Sequence, residues 1–119
     1  MTAKEKRYKD KVANNLFFVN QLDCLGINRR YLGFYMLIDI MQLMINEGIA
    51  VFSFSKQIYP VVAEKYNKTV WTVERNIRNI IDKCWNMDLM TKLNVYMIDK
   101  PSCCDFIYAV KTYIMKQII

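Results

Sequence analysis

The sequence predicts an all-α protein, a compact bundle of about six helices containing a helix-turn-helix. Two stretches carry most of this expectation. Residues 59–85, YPVVAEKYNKTVWTVERNIRNIIDKCW, repeat apolar side chains at helical spacing on both sides of a polar break, Asn67-Lys68-Thr69. Residues 29–47 are apolar nearly all round, as a central buried helix must be. The short apolar run 49–54 could be mistaken for a strand, yet nothing nearby pairs with it. A chain of 119 residues with a hydrophobic fraction of 54% makes one domain with a real core.

Residues 1–11, MTAKEKRYKDK, have no apolar period and carry five basic and two acidic side chains. They read as a basic N-terminal arm, with a single helical domain over 12–119. The first helix is expected over 11–24, with Val12, Leu16, Val19 and Leu22 on one face and Phe17 and Phe18 widening it. Gly26 would stop it in the left-handed conformation, free of a Cβ penalty. Asn28 can cap the second helix, 29–47, in which Gly33 permits a close helix crossing. Phe52 and Phe54 are expected to plug the core. Ser53 or Ser55 would cap the third helix, 56–66, and Pro60 inside it should cost a hydrogen bond and produce a kink. After Trp85, a short helix fits residues 88–93 and residues 95–98 are ambiguous. Ser102 with Asp105 three residues on resembles a capping box, starting a last helix over 103–116 with Phe106, Ile107, Val110 and Ile114 inward.

The helix-turn-helix is expected over residues 56–85. Asn67 can take the left-handed turn position, and Thr69 is a good N-cap for the helix that follows. At about 100° per residue, Val73, Ile77, Ile80, Ile81 and Cys84 of that helix share a side. Trp71, Thr72, Arg75, Arg78, Asn79 and Asp82 fall opposite, with Glu74 on the flank. Arg can pair bidentately with guanine and Asn with adenine, and Glu can accept from cytosine. Any surface helix also has a solvated charged face, so the pattern alone is weak.

Charge agrees with a polyanionic partner. Lys and Arg number 17 against 11 Asp and Glu, a net +6. Residues 52–85 hold six basic side chains (Lys56, Lys65, Lys68, Arg75, Arg78, Lys83) and three acidic ones (Glu64, Glu74, Asp82). The four cysteines include no CxxC, and there is no His, so no metal, no cofactor and no enzymatic activity are expected. Reduced thiols, a charged N-terminus and no run of ~18 apolar residues point to a cytoplasmic, nucleoid-associated protein that does not span a membrane.

Four separated stretches then become familiar: LGINRRYLGFYML (25–37), SKQIYPVVAEKYNKT (55–69), VERNIRNIID (73–82) with Trp85 after it, and KPSCCDFIYAV (100–110). In order and nearly in spacing, they resemble the C-terminal effector domain of the sporulation-initiation response regulator of endospore-forming bacteria, the stage-zero sporulation protein A family. The resemblance covers roughly residues 15–114 and is far more specific than a lone helix-turn-helix. It implies a six-helix domain that binds a short double-stranded DNA box with a TGTCGAA-like core, singly or in tandem. It implies base reading by Glu74, Arg75 and Arg78. Family members can carry a histidine where this chain has Asn79, so the identical box is not implied.

The expected function is therefore a sequence-specific DNA-binding transcriptional regulator. Arg75 and Arg78 would read bases, with Glu74 orienting them or accepting from cytosine and Thr72 and Asn79 contributing. Lys56, Lys65, Lys68 and Thr69 would hold phosphates. Trp71 would either contact phosphate through its indole N–H or plug against the preceding helix. Only a short charged stretch precedes the first helix, so no receiver domain is expected. In the family, the segment after the tryptophan contacts the sigma subunit of RNA polymerase. Here the 85–100 segment is shorter by roughly half a dozen residues, so a repressor or competitor is expected rather than an activator. The alternative is a protein-interaction module that antagonises a homologous full-length regulator without binding DNA.

Overall fold

Left-handed residues close three of the helices in this protein. A computed structural model describes residues 2–3 and 15–118. It contains six α-helices and no strand among the described residues: α1 Asn15–Cys24, α2 Leu32–Met41, α3 Tyr59–Tyr66, α4 Val70–Cys84, α5 Met87–Leu93 and α6 Cys103–Ile118. Gly26 (φ 81°), Asn67 (φ 54°) and Asn94 (φ 57°) close α1, α3 and α5. All three ends share one hydrogen-bond pattern. After α3, for example, the Lys68 N–H donates to Ala63 O at 2.9 Å and the Asn67 N–H to Glu64 O at 3.1 Å. This double bond back into the last turn satisfies carbonyls that would otherwise be orphaned.

Residues 4–14, which hold all the charged side chains of the basic arm and Val12, lie outside the described residues. Within α1 the inward face is built on Phe18 and Leu22, both fully buried, with Phe17 and Val19 partly buried against them. Leu16 is instead exposed.

α2 is the central element, as its all-round apolar character requires. Phe34, Met36, Leu37, Ile40 and Met41 are all 0% exposed. It starts later than expected. The Asn28 side chain accepts from the Arg30 N–H at 2.9 Å and so caps a separate turn; the helix begins at Leu32 with no side-chain cap on Tyr31. At its far end it widens into i→i+5 turns over Gln42–Asn46. Gly33 is where α4 crosses: a Cβ there would lie 2.4 Å from the Asn76 carbonyl oxygen and 2.6 Å from Ile80 Cγ1.

Around the start of α3 three expectations fail. Phe54 is buried but Phe52 is 91% exposed, so only one phenylalanine plugs the core. Neither serine side chain caps the helix; Gln57 Oε1 accepts from the Phe52 and Ser53 N–H groups instead. Pro60 causes no lost bond inside a helix either. An i→i+5 turn, Phe54–Ile58, closes with the Tyr59 N–H on Phe54 O, and α3 restarts with Pro60 in its first turn, where no N–H is needed.

α6 buries Phe106, Ile107, Val110 and Ile114 completely, as its spacing predicts, and packs on α4 and α5. Its start is capped by Ser102, whose Oγ accepts from the Asp105 N–H at 3.2 Å. α5 is capped by Asn86, whose side chain accepts from the Leu89 N–H. Residues 95–98 form no regular element.

Candidate nucleic-acid interface

α3 and α4 are joined by the short turn Asn67-Lys68-Thr69, an arrangement consistent with the helix-turn-helix expected over residues 56–85. Thr69 caps α4, accepting from the Thr72 N–H at 3.1 Å. Val73, Ile77, Ile80, Ile81 and Cys84 are buried, and the opposite face is open. Helix position thus decides which α4 side chains can meet a partner.

On that face Arg75 is exposed and its guanidinium carbon lies 3.8 Å from the centroid of the Trp71 ring. Trp71 is 64% exposed, so it is not a plug against α3; it is a platform on which Arg75 stacks. One turn on, Arg78 donates to Glu74 Oε1 at 2.6 Å. An exposed i,i+4 pair of this kind is weak, because solvent screens it. It sets the direction of the guanidinium without locking it. Burial raises the Cys103 thiol above its ordinary pKa, while the neighbouring Arg78 pulls the other way. The thiol is therefore neutral near pH 7, and Glu74 is the anion that Arg78 answers to.

The remaining residues singled out by sequence divide into open and engaged groups. Lys56 and Lys68 are exposed, Lys68 in the turn itself and Lys56 in the wide turn before α3. Asn79 is half-buried on the flank. The hydroxyls of Thr69 and Thr72 lie 2.9 Å apart and are engaged with each other. Lys65 points at α2, where its ammonium lies 2.6 Å from Asp39 Oδ1. Asp39 also accepts from the Tyr66 hydroxyl at 2.6 Å. Burial, with this hydrogen bond second, holds the Tyr66 phenol well above its ordinary pKa. Lys65 and Tyr66 thus clamp α3 to α2. The sequence signal for this was Asp39 itself, a lone acid in an apolar helix.

Among the described residues, no group of three His, Cys, Asp or Glu side chains could hold a metal ion. All four cysteines are free, Cys84 and Cys103 buried and Cys24 and Cys104 exposed. No helix among the described residues is long and apolar enough to cross a membrane.

The family model described as sporulation initiation factor Spo0A C terminal matches residues 18–114. The chain belongs to this family. Membership makes it a DNA-binding effector domain in the general sense. The matched span runs from α1 into α6 and includes the whole of α3 and α4. Sequence reasoning had not found Trp71 as a stacking platform, nor the cleft that α6 opens beside Arg78. No spacing rule signals either, because both depend on side chains that meet only in three dimensions.

Proposed function

We propose that this effector domain is a sequence-specific transcriptional regulator that lays α4 in the major groove of a short DNA box. Arg75 and Arg78 read base edges there. Glu74 orients Arg78 and can accept from cytosine, while Thr72 and Asn79 make flanking contacts. Lys56, Lys68 and Thr69 hold phosphates. Lys65 is a weaker candidate for that role, because Asp39 already holds it. The observation that carries the reading is the α4 face itself: two exposed arginines, one stacked on Trp71 and one paired to Glu74, opposite a fully apolar side. Randomised-site selection with wild type and the Arg75→Ala variant tests it. A preferred box that loses discrimination at one base pair in the variant supports the reading, and no preferred box rejects it.

The regulator acts as a repressor or a competitor at its box. Supporting this is the shortened segment between Trp85 and Lys100, so that the box can be occupied without recruiting polymerase. In-vitro transcription from a promoter with an upstream box decides the matter. Robust activation that depends on residues 86–95 would overturn it.

One observation favours a second reading, a protein-interaction module. Met87, Tyr96, Met97 and Ile98 expose apolar surface on the side chains after α4, with Ile98 fully exposed. Salt separates the readings. DNA binding should weaken with a log–log slope near −0.9 per phosphate contacted. Lys68→Ala should lower affinity for all sequences alike and flatten that slope by about one unit.

A further inference from the structure

The KPSCCDF run, residues 100–106, has so far only started a helix. Ser102 satisfies one of the orphan donors at the start of α6, its Oγ taking the Asp105 N–H, while its carbonyl takes the first regular helical bond, from the Phe106 N–H at 3.0 Å. The N–H groups of Cys103 and Cys104 have no backbone acceptor among the described residues. Both residues line an open cleft of about 630 Å³ beside the contact between α6 and α4. The first turn of a 16-residue helix carries partial positive charge, so this wall of the cleft favours an anion.

An independent observation comes from α3. Tyr59 forms part of the same cleft and is 3% exposed, yet its hydroxyl has no hydrogen-bond partner among the described residues. A buried hydroxyl left unpaired is rare and asks for an explanation in a bound group. Lys100, at the cleft mouth, is held only loosely, with Nζ 3.4 Å from Asp82 O and 3.5 Å from Asp82 Oδ1. Asp82 and Glu74 also line the cleft, but both belong to the α4 wall, where Lys100 and Arg78 answer them. The charged side chains therefore cancel, and the first N–H groups of α6 and the unpaired Tyr59 hydroxyl set the preference.

We propose that this cleft is a phosphate-oxyanion site, formed by the Cys103 and Cys104 N–H groups, Lys100 and the Tyr59 hydroxyl, and that it holds a backbone phosphate of the DNA box. The inference rests on α4 facing the DNA bases. Arg78 lines both the cleft and the α4 face, which sets the phosphate beside the base pair that Arg78 reads. Contacts of this kind position a protein on the duplex rather than specify sequence. The other source of the same chemistry is free inorganic phosphate.

The test replaces single phosphates of the selected box with neutral methylphosphonates and measures binding of wild type, Lys100→Ala, Tyr59→Phe and Arg75→Ala. Wild type should lose several-fold in affinity at one phosphate near the base pair read by Arg78. Lys100→Ala should lower affinity for all sequences, flatten the salt slope by about one unit and abolish sensitivity to that phosphate. Tyr59→Phe should also weaken DNA binding while leaving the thermal midpoint unchanged or raised, which a purely structural tyrosine would not do. If Lys100→Ala and Tyr59→Phe match wild type at every position while Arg75→Ala loses base discrimination, this proposal falls alone. If wild type shows no preferred box and Arg75→Ala costs nothing, the reading beneath it falls too. Inorganic phosphate is titrated without DNA at constant ionic strength, followed by amide NMR. Shifts confined to Cys103 and Cys104, with no methylphosphonate effect, would make free phosphate the ligand and overturn the DNA assignment.

Discussion

Two consecutive helices treat apolar surface in opposite ways. α4 hides the apolar residues of its inner face: Val73, Ile77 and Ile80 are 0% exposed, and its exposed positions are charged or the stacked Trp71. α5 and the segment after it bury Leu89 and Leu93 but leave Met87 66%, Tyr96 68% and Ile98 104% exposed. Folding explains both faces of α4 only in part, because nothing in the core requires two arginines on its outer side. It explains α5 inward and fails outward, where burial gains nothing from Tyr96 or Ile98. The lesson is that what folding leaves unexplained differs between the two helices: charge on one and apolar area on the other.

The largest effect expected from this contrast is on stability. Ile77→Ala should cost about 2–5 kcal/mol in urea unfolding, since the side chain is fully buried at the centre of α4. Gly33→Ala should cost about 1–3 kcal/mol, although alanine is the better helix former. The added Cβ meets a backbone carbonyl that cannot turn aside, and a variant as stable as wild type would show that α2 and α4 are not in close contact. Arg75→Ala and Arg78→Ala should leave unfolding unchanged but each cost about 1–3 kcal/mol in specific DNA binding, read by titration on the selected box. At the other end of the scale, Met97→Ser with Ile98→Ser should shift stability by no more than about 0.5 kcal/mol. A clear loss there would mean that residues 95–98 belong to the core, and the contrast between the helices would disappear.

Much of this molecule was legible because its signals are local. Asn67, Thr69 and the buried side of α4 follow from turn chemistry and from a 3.6-residue period, and Gly33 follows from the need for a close crossing. The misses share a cause as well. Phe52 and Leu16 are as apolar as Phe54 and Phe18, so composition could not tell which faces inward. That choice is made by where the wide turn and α1 settle against α2. Asn28 has the chemistry of a cap, and it does cap, but one turn earlier than the helix. Lys65 looked like its neighbour Lys68 in sequence; only the folded position of Asp39, 26 residues away, separates them. The arginines were identifiable by type and phase, whereas the Trp71 stack and the α6 cleft arise from tertiary placement.

The wide turn at Phe54–Ile58 amounts to one surplus residue absorbed in the backbone. Counting back from Tyr59, an α-helical register would put the donor's partner at Ser55 rather than Phe54. Removing one residue from that turn would make it run straight into α3, and Pro60 would then stand inside a continuous helix, with its ring against the carbonyl four positions earlier. The same deletion would swing Lys56 and Phe54 by about 100° relative to α3, taking the phenylalanine out of the core and the lysine off its present side. This turn therefore works as a length gauge. At its present count it leaves Phe54 in the core and sets Tyr59, with the two helices behind it, in one orientation on the central helix.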